Sequence, residues 1–173
     1  MIYNIPIEPY EERYTEQWYR WYKTAYDELG IEHRTIMPIR MDDHSTLYEI
    51  QTGSVLDVYN THWFKFRQLA EIFRLLQGDE IKDDDTIFFH DLWFPGLESL
   101  QYVRDMTGKK FKIKGVLHAG TWDKHDFTYL NGMRSWGKYF ERSILGIIDE
   151  VFLGSQFHKD IILKNTLKSK GLE

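Results

Sequence analysis

Two hydrophobic rhythms alternate along the chain. Short apolar runs, rich in β-branched and aromatic residues, occur at 2–7, Thr86–Phe89, 111–117 and Glu150–Leu153. Between them, apolar residues recur every three to four positions. Unbroken short runs suit strands buried on both faces, and the longer period suits amphipathic helices. Thr15 is a candidate N-cap for a first helix whose face would carry Trp18, Trp21, Tyr22, Ala25 and Leu29, with Gly30 as its stop. Residues 34–39 form a candidate second strand. Residues 42–57 are polar and weakly patterned, with a candidate short strand at 47–50. A second helix follows, with Phe66, Leu69, Ala70, Phe73 and Leu76 on one face and Gly78 closing it. Further helices are expected over 96–106 and 133–148 and from Gln156 onward. The helix over 133–148 would present Trp136, Tyr139, Phe140, Ile144 and Ile147 on its apolar face. Strand followed by helix throughout predicts an α/β domain with an open, mostly parallel sheet and helices on both faces.

Polar clusters recur where the apolar runs stop. Thr86–Phe89 ends in His90-Asp91, the next run ends in His118-Ala119-Gly120, and Glu150–Leu153 ends in Gly154-Ser155-Gln156. Open α/β sheets bind ligands beyond the carboxyl ends of their strands, so these residues are the first candidates for a site. His90 and Asp91 could bind sugar hydroxyls, with Trp93 as an apolar platform; the plainer reading makes His90 a loop hydrogen-bonder and Trp93 a core residue. His118 is positioned to donate to a hydroxyl or to an oxygen gaining negative charge, and Gly120 would let the backbone approach a ligand closely. Asp123, His125 and Asp126 form either a solvated loop or, with His90 and His118, a set of metal ligands. Their spacing matches no standard metal motif, so no metal is expected. Ser155 is a candidate phosphate contact, and more simply an N-cap. In the loop after the first strand, Glu8 to Thr15, Arg13 is the candidate ligand contact. That loop lacks glycine, and the chain lacks the Gly-rich phosphate motifs and the G-x-S-x-G nucleophile turn.

Composition narrows the picture. At 173 residues the chain suits one well-cored domain. Its net charge of −5 argues against a nucleic-acid surface spanning the domain. With no cysteine, thiol nucleophiles, disulfides and cysteine-based zinc sites are excluded, as a reducing cytoplasm would allow. No apolar run approaches the ~20 residues of a membrane span, and no signal peptide is evident, so a cytoplasmic location is expected. Aromatic residues make up 16% of the chain, enough for some to serve as stacking surfaces.

The segments Phe88-Phe89-His90-Asp91, Val116-Leu117-His118-Ala119-Gly120 and Asp149 to Lys159, in that order, resemble the N-terminal Rossmann-like domain of GT-B glycosyltransferases. Within that architecture they are most similar to the retaining, glycogen-synthase-like group. The resemblance covers most of residues 2–167. It implies one half of a GT-B enzyme, with residues 1–171 as the acceptor-side domain and a C-terminal donor domain absent. The last two residues, 172–173, read as a cloning scar. The implied reaction moves a sugar from a nucleotide sugar to an acceptor hydroxyl, with no tightly bound cofactor. His118 would act near the transferred sugar, while His90, Asp91, Trp93, Gly120, Trp122, Asp123 and Arg13 would bind substrate and Ser155 a phosphate. The chain alone would then be catalytically silent. Two alternatives remain: a free-standing nucleotide- or carbohydrate-binding module, and a metal-dependent hydrolase using His90, Asp91, His118 and Asp123. The chain departs from the family pattern at the first loop, where Glu11-Glu12-Arg13-Tyr14 stands in place of a Gly-rich turn.

Overall fold

A computed structural model describes residues 1–9, 13–38 and 58–167. The expectations for 42–57, including the strand at 47–50, and for 172–173 lie outside the described residues, as does the middle of the first loop. In chain order the elements are β1 (Ile2–Ile5), α1 (Tyr14–Glu28), β2 (His33–Thr35), α2 (Val58–Gln77), β3 (Thr86–Phe89), α3 (Glu98–Thr107), β4 (Lys112–Leu117), α4 (Phe127–Leu130), α5 (Arg134–Ile147), β5 (Glu150–Leu153) and α6 (Gln156–Leu167).

All five strands pair in parallel in a single open sheet of order β2-β1-β3-β4-β5. This is the expected Rossmann-like α/β arrangement. In this doubly wound order the connections diverge between β1 and β3, the position at which open α/β sheets commonly bind ligands. The central strand explains why the apolar runs are unbroken. Ile87, Phe88 and Phe89 point alternately to opposite faces, and all three are buried. Tyr22 of α1 packs on Phe88, with ring centroids 5.2 Å apart, while Phe89 meets Phe94 at 4.8 Å. The main core joins Tyr3, Ile5, Ile72, Leu75, Ile87, Phe89, Leu100, Ile113 and Leu117.

Several helices are rotated from the faces that their apolar residues predict. In α1 the inward line is Thr15, Trp18, Tyr22 and Tyr26, and Trp21 is 64% exposed. Thr15 is not the N-cap. It lies in the first turn, where its hydroxyl donates to the Glu8 carbonyl at 2.6 Å, and Arg13 occupies the cap position. In α2 the buried line includes Lys65, Gln68 and Glu71, while Phe66 is half exposed. In α5 Trp136 and Tyr139 are exposed, and Gly137, Glu141 and Ile144 are buried. Buried polar residues displaced the expected apolar ones because specific partners wait for them. Gln68, for example, donates to the carbonyls of Pro6 and Ile36, each at 3.0 Å.

Candidate functional site

The carboxyl ends of β1 and β3 meet at the switch point through a buried polar pair. Asn4 interrupts the apolar run of β1, and its side-chain oxygen accepts from His90 Nε2 at 2.7 Å. Both residues are essentially solvent-free. The Nε2–H donated to Asn4 makes Nδ1 the lone-pair nitrogen of His90. Burial, with a smaller contribution from the charge of His118, lowers the His90 pKa to about 3, so the ring is neutral at pH 7.

His90 therefore does not present its ring to solvent, as its proposed role in binding hydroxyls requires. Tyr22 covers it at a centroid distance of 4.5 Å. Its backbone does the positioning instead: the His90 carbonyl accepts from His118 Nε2 at 2.7 Å. That bond makes Nε2 the donor, so the uncharged form of the ring carries its lone pair at Nδ1. The His118 ring is partly exposed and rests on Trp18 at 4.6 Å, with Tyr14 at 6.1 Å. Two helix residues thus hold a histidine whose remaining nitrogen has no hydrogen-bond partner among the described residues.

Asp91 is also committed to structure. It accepts from Lys65 Nζ at 2.7 Å and from the Trp93 backbone N–H at 3.0 Å, and Lys65 donates onward to the Trp93 carbonyl at 2.6 Å. Burial pushes the Asp91 carboxyl up, but the Lys65 ammonium, His118 and the backbone N–H outweigh it, so the pKa is held below the usual aspartate range. Asp91 in turn adds to the burial that pushes the Tyr14 phenol up. Asp91, His118 and Tyr14 consequently share one electrostatic neighbourhood. Arg13, at the cap position of α1, precedes Tyr14 directly.

Three buried polar atoms on β1, just after it and just after β3 lack a partner among the described residues: Asn4 Nδ2, Glu8 Oε1 and His90 Nδ1. Buried polar groups are normally satisfied, and native exceptions cluster at binding sites and ordered waters. One is a donor and two are acceptors. A fourth atom, His158 Nε2, is unpartnered at the start of α6. Burial lowers the His158 pKa, with Asp123 and Asp126 pulling the other way and His118 adding to the fall.

The remaining predicted residues have other occupations. Gly120 does not open a path to a ligand. A Cβ there would lie 2.2 Å from Glu141 Oε1, so the glycine makes room for a side chain of this same chain. Trp93 is no free platform. It packs on Phe140 at 4.9 Å and on Trp136 at 5.8 Å, and its indole N–H donates to Glu141 at 3.1 Å. Glu141 also accepts from the Thr121 backbone N–H at 2.6 Å and hydroxyl at 2.9 Å. These bonds offset only part of the upward push of burial on its carboxyl. Asp123 turns back to accept from the His125 N–H at 2.9 Å. Ser155 caps α6, its hydroxyl accepting from the His158 N–H at 3.1 Å, as the N-cap reading expects. Trp122 lies beneath Arg134 and Arg142 rather than at the switch point.

Sequence reasoning missed Asn4, Glu8, Lys65, Glu141 and His158 as organising residues. Asn4 had a readable signal, since one amide in an apolar parallel strand has to find a partner. Lys65 and Glu141 had none, because their partners lie 26 and 20 residues away along the chain. Among the described residues, no group of three or more His, Asp or Glu side chains could hold a metal ion. No helix among them is long and apolar enough to cross a membrane. Comparison with known protein families, curated proteins and solved structures finds no match, so the geometry of the chain carries the functional argument.

Proposed function

We propose that the switch point between β1 and β3 binds a sugar hydroxyl group, and that the chain serves as the acceptor side of a glycosyl transfer. The observation that carries this reading is the partly exposed His118 ring beside the switch point, whose Nε2 is fixed by the His90 carbonyl and whose Nδ1 has no hydrogen-bond partner among the described residues. A sugar hydroxyl can donate to that nitrogen, and the neighbouring Trp18 and Tyr14 rings suit the apolar face of a sugar. A phosphate there would meet the Asp91 carboxylate, whose cation, Lys65, is already bound to it.

On this reading the donor nucleotide sugar is held by another domain. The acceptor oxygen bonds to the anomeric carbon as the bond from that carbon to the diphosphate breaks, and the acceptor proton leaves on the diphosphate. His118 Nδ1 accepts from the reacting hydroxyl and orients it, easing the positive charge that grows on its oxygen as the new bond forms, and the His90 carbonyl and the Trp18 ring hold the imidazole in place. No protein nucleophile is required. Prealigned reactants and fixed dipoles supply the rate.

The test is sugar transfer by the full gene product, measured with a panel of radiolabelled nucleotide sugars. Turnover should fall at least 100-fold in His118→Ala, the scale of one lost electrostatic contact, roughly 10²–10³. Near wild-type turnover in that variant would refute the catalytic part. Saturable sugar binding with no transfer from any donor would leave a carbohydrate-binding module.

A further inference from the structure

A second concave site lies on α5, and its chemistry is opposite to that of the switch point. Arg134, Lys138 and Arg142 follow one another at four-residue intervals, so they stack on one face of the helix. With Trp122, Ser135 and Tyr139 they line a cavity of about 390 Å³. No carboxylate lines it, although the chain carries five more acidic than basic side chains. Among the described residues none of the three cations forms an ion pair, whereas thirteen other ion pairs are present. Like charges at this spacing repel and destabilise a helix, so the column is a local cost that no ion pair among the described residues offsets.

The cations are also held in place. Arg134 and Arg142 lie over the Trp122 ring, 5.1 and 5.6 Å from its centroid, and Lys138 lies 4.8 Å from that of Tyr139. Stacking of a guanidinium on an aromatic face leaves its N–H edge available for an anion, and reduces the entropy lost when one binds. Two buried donors belong to the same residues and have no partner: Trp122 Nε1 and Arg142 Nε. Both of these buried unsatisfied atoms are donors, and Arg142 Nη2 also donates to the Asn165 carbonyl at 3.5 Å. The switch point, by contrast, mixes donors and acceptors.

We infer that this cavity binds the phosphate group of a small phosphate ester. Doubly charged phosphate oxygens match a set made only of donors, and guanidinium edges match them in geometry as well as charge. The volume falls near the lower end of small-molecule sites, roughly 300–1,000 Å³, which suits a sugar-sized ester better than a bare ion. The acidic balance of the chain disfavours a long polyanion as the ligand. This inference does not depend on the transfer reading.

The experiment is calorimetric titration of the whole chain with a hexose phosphate and with pyrophosphate, the unphosphorylated hexose serving as control. The expected result is one saturable site for the phosphorylated probes. Arg134→Gln and Lys138→Gln, both changes at the cavity rim, should each weaken it about tenfold, the effect of one charged hydrogen bond. Their thermal melts should not fall below the wild-type temperature, since each change relieves like-charge repulsion along α5. Trp122→Phe keeps a six-membered ring beneath the guanidiniums and removes the pyrrole ring with its N–H donor. It should weaken binding too, which general electrostatic attraction would not predict. Absence of saturable binding, or binding undiminished in the Arg134→Gln/Lys138→Gln double variant, would overturn the assignment. Vesicles containing phosphatidic acid provide the last arm: binding to them without binding to either soluble probe would overturn the small-molecule source.

Discussion

Burial of neutral His90 makes the stability of this fold depend on pH in a defined window. In the unfolded chain the imidazole titrates near its ordinary value of 6.5; in the folded chain it titrates at about 3. The folded state resists protonation, so the contribution of His90 is complete above the unfolded value and declines as pH falls toward the folded one. Between these limits the unfolded state binds one more proton, and stability drops by about 1.4 kcal/mol for each pH unit. From pH 7 to pH 5 the site alone therefore removes about 2 kcal/mol. A large fraction of a typical net stability of ~5–15 kcal/mol is at stake. Urea unfolding followed from pH 7 to pH 4.5 measures the slope in the wild type and in His90→Gln, whose amide can still donate to Asn4. His158, also lowered by burial, titrates in both proteins and cancels in the comparison. Asp91 does not interfere, because a carboxyl held low loses its contribution only below the ordinary aspartate range. The variant should show a slope shallower by about one proton. Equal slopes would refute the claim that His90 is neutral and inaccessible to protons in the folded state.

Three further perturbations probe the supports of the two sites. Lys65→Met leaves the Asp91 carboxylate buried without its cation and should cost about 3–5 kcal/mol in urea unfolding, whereas Lys65→Met/Asp91→Asn should recover part of that loss. Gly120→Ala drives a methyl into the Glu141 carboxylate and should destabilise by ~1–3 kcal/mol, read as a lower melting temperature. Glu141→Ala strips the acceptor from the Thr121 N–H, the Thr121 hydroxyl and the Trp93 indole. A cost of ~3 kcal/mol or more is expected from three stranded donors, and wild-type stability would show that they find other partners.

Local physics is decisive for the strands and for the cap of α6. Thr86–Phe89 and Glu150–Leu153 are strands at the bounds expected, because buried parallel strands need unbroken apolar runs that few other structures tolerate. Ser155 is a cap because a short side-chain oxygen at a strand-to-helix junction satisfies a free N–H within its own segment. Helical faces were less legible. Phe66, Trp21 and Trp136 look apolar enough to face inward, yet each is displaced by a neighbour with an obligatory partner: Lys65 for Asp91, Tyr22 for Phe88 and His90, Gly137 and Glu141 for Thr121 and Trp93. Apolar burial is non-directional and tolerates such a rotation, while a buried charge or amide does not.

By itself, then, the sequence determined the α/β class, the order of strands and helices, and the delivery of His90, Asp91 and His118 to one edge of the sheet. Each of these follows from interactions within a few residues of chain. Only the tertiary structure decided which of those groups face a ligand. The ring of His90 became an internal support because Asn4 and Tyr22 close over it, and the backbone of the same residue aims His118. The column of cations on α5 was present in the sequence as spacing alone. It became a cavity when the loop after β4 laid Trp122 beneath Arg134 and Arg142. Long-range partners set these outcomes, because whether a polar group is structural or available depends on who satisfies it, and that partner can lie anywhere along the chain.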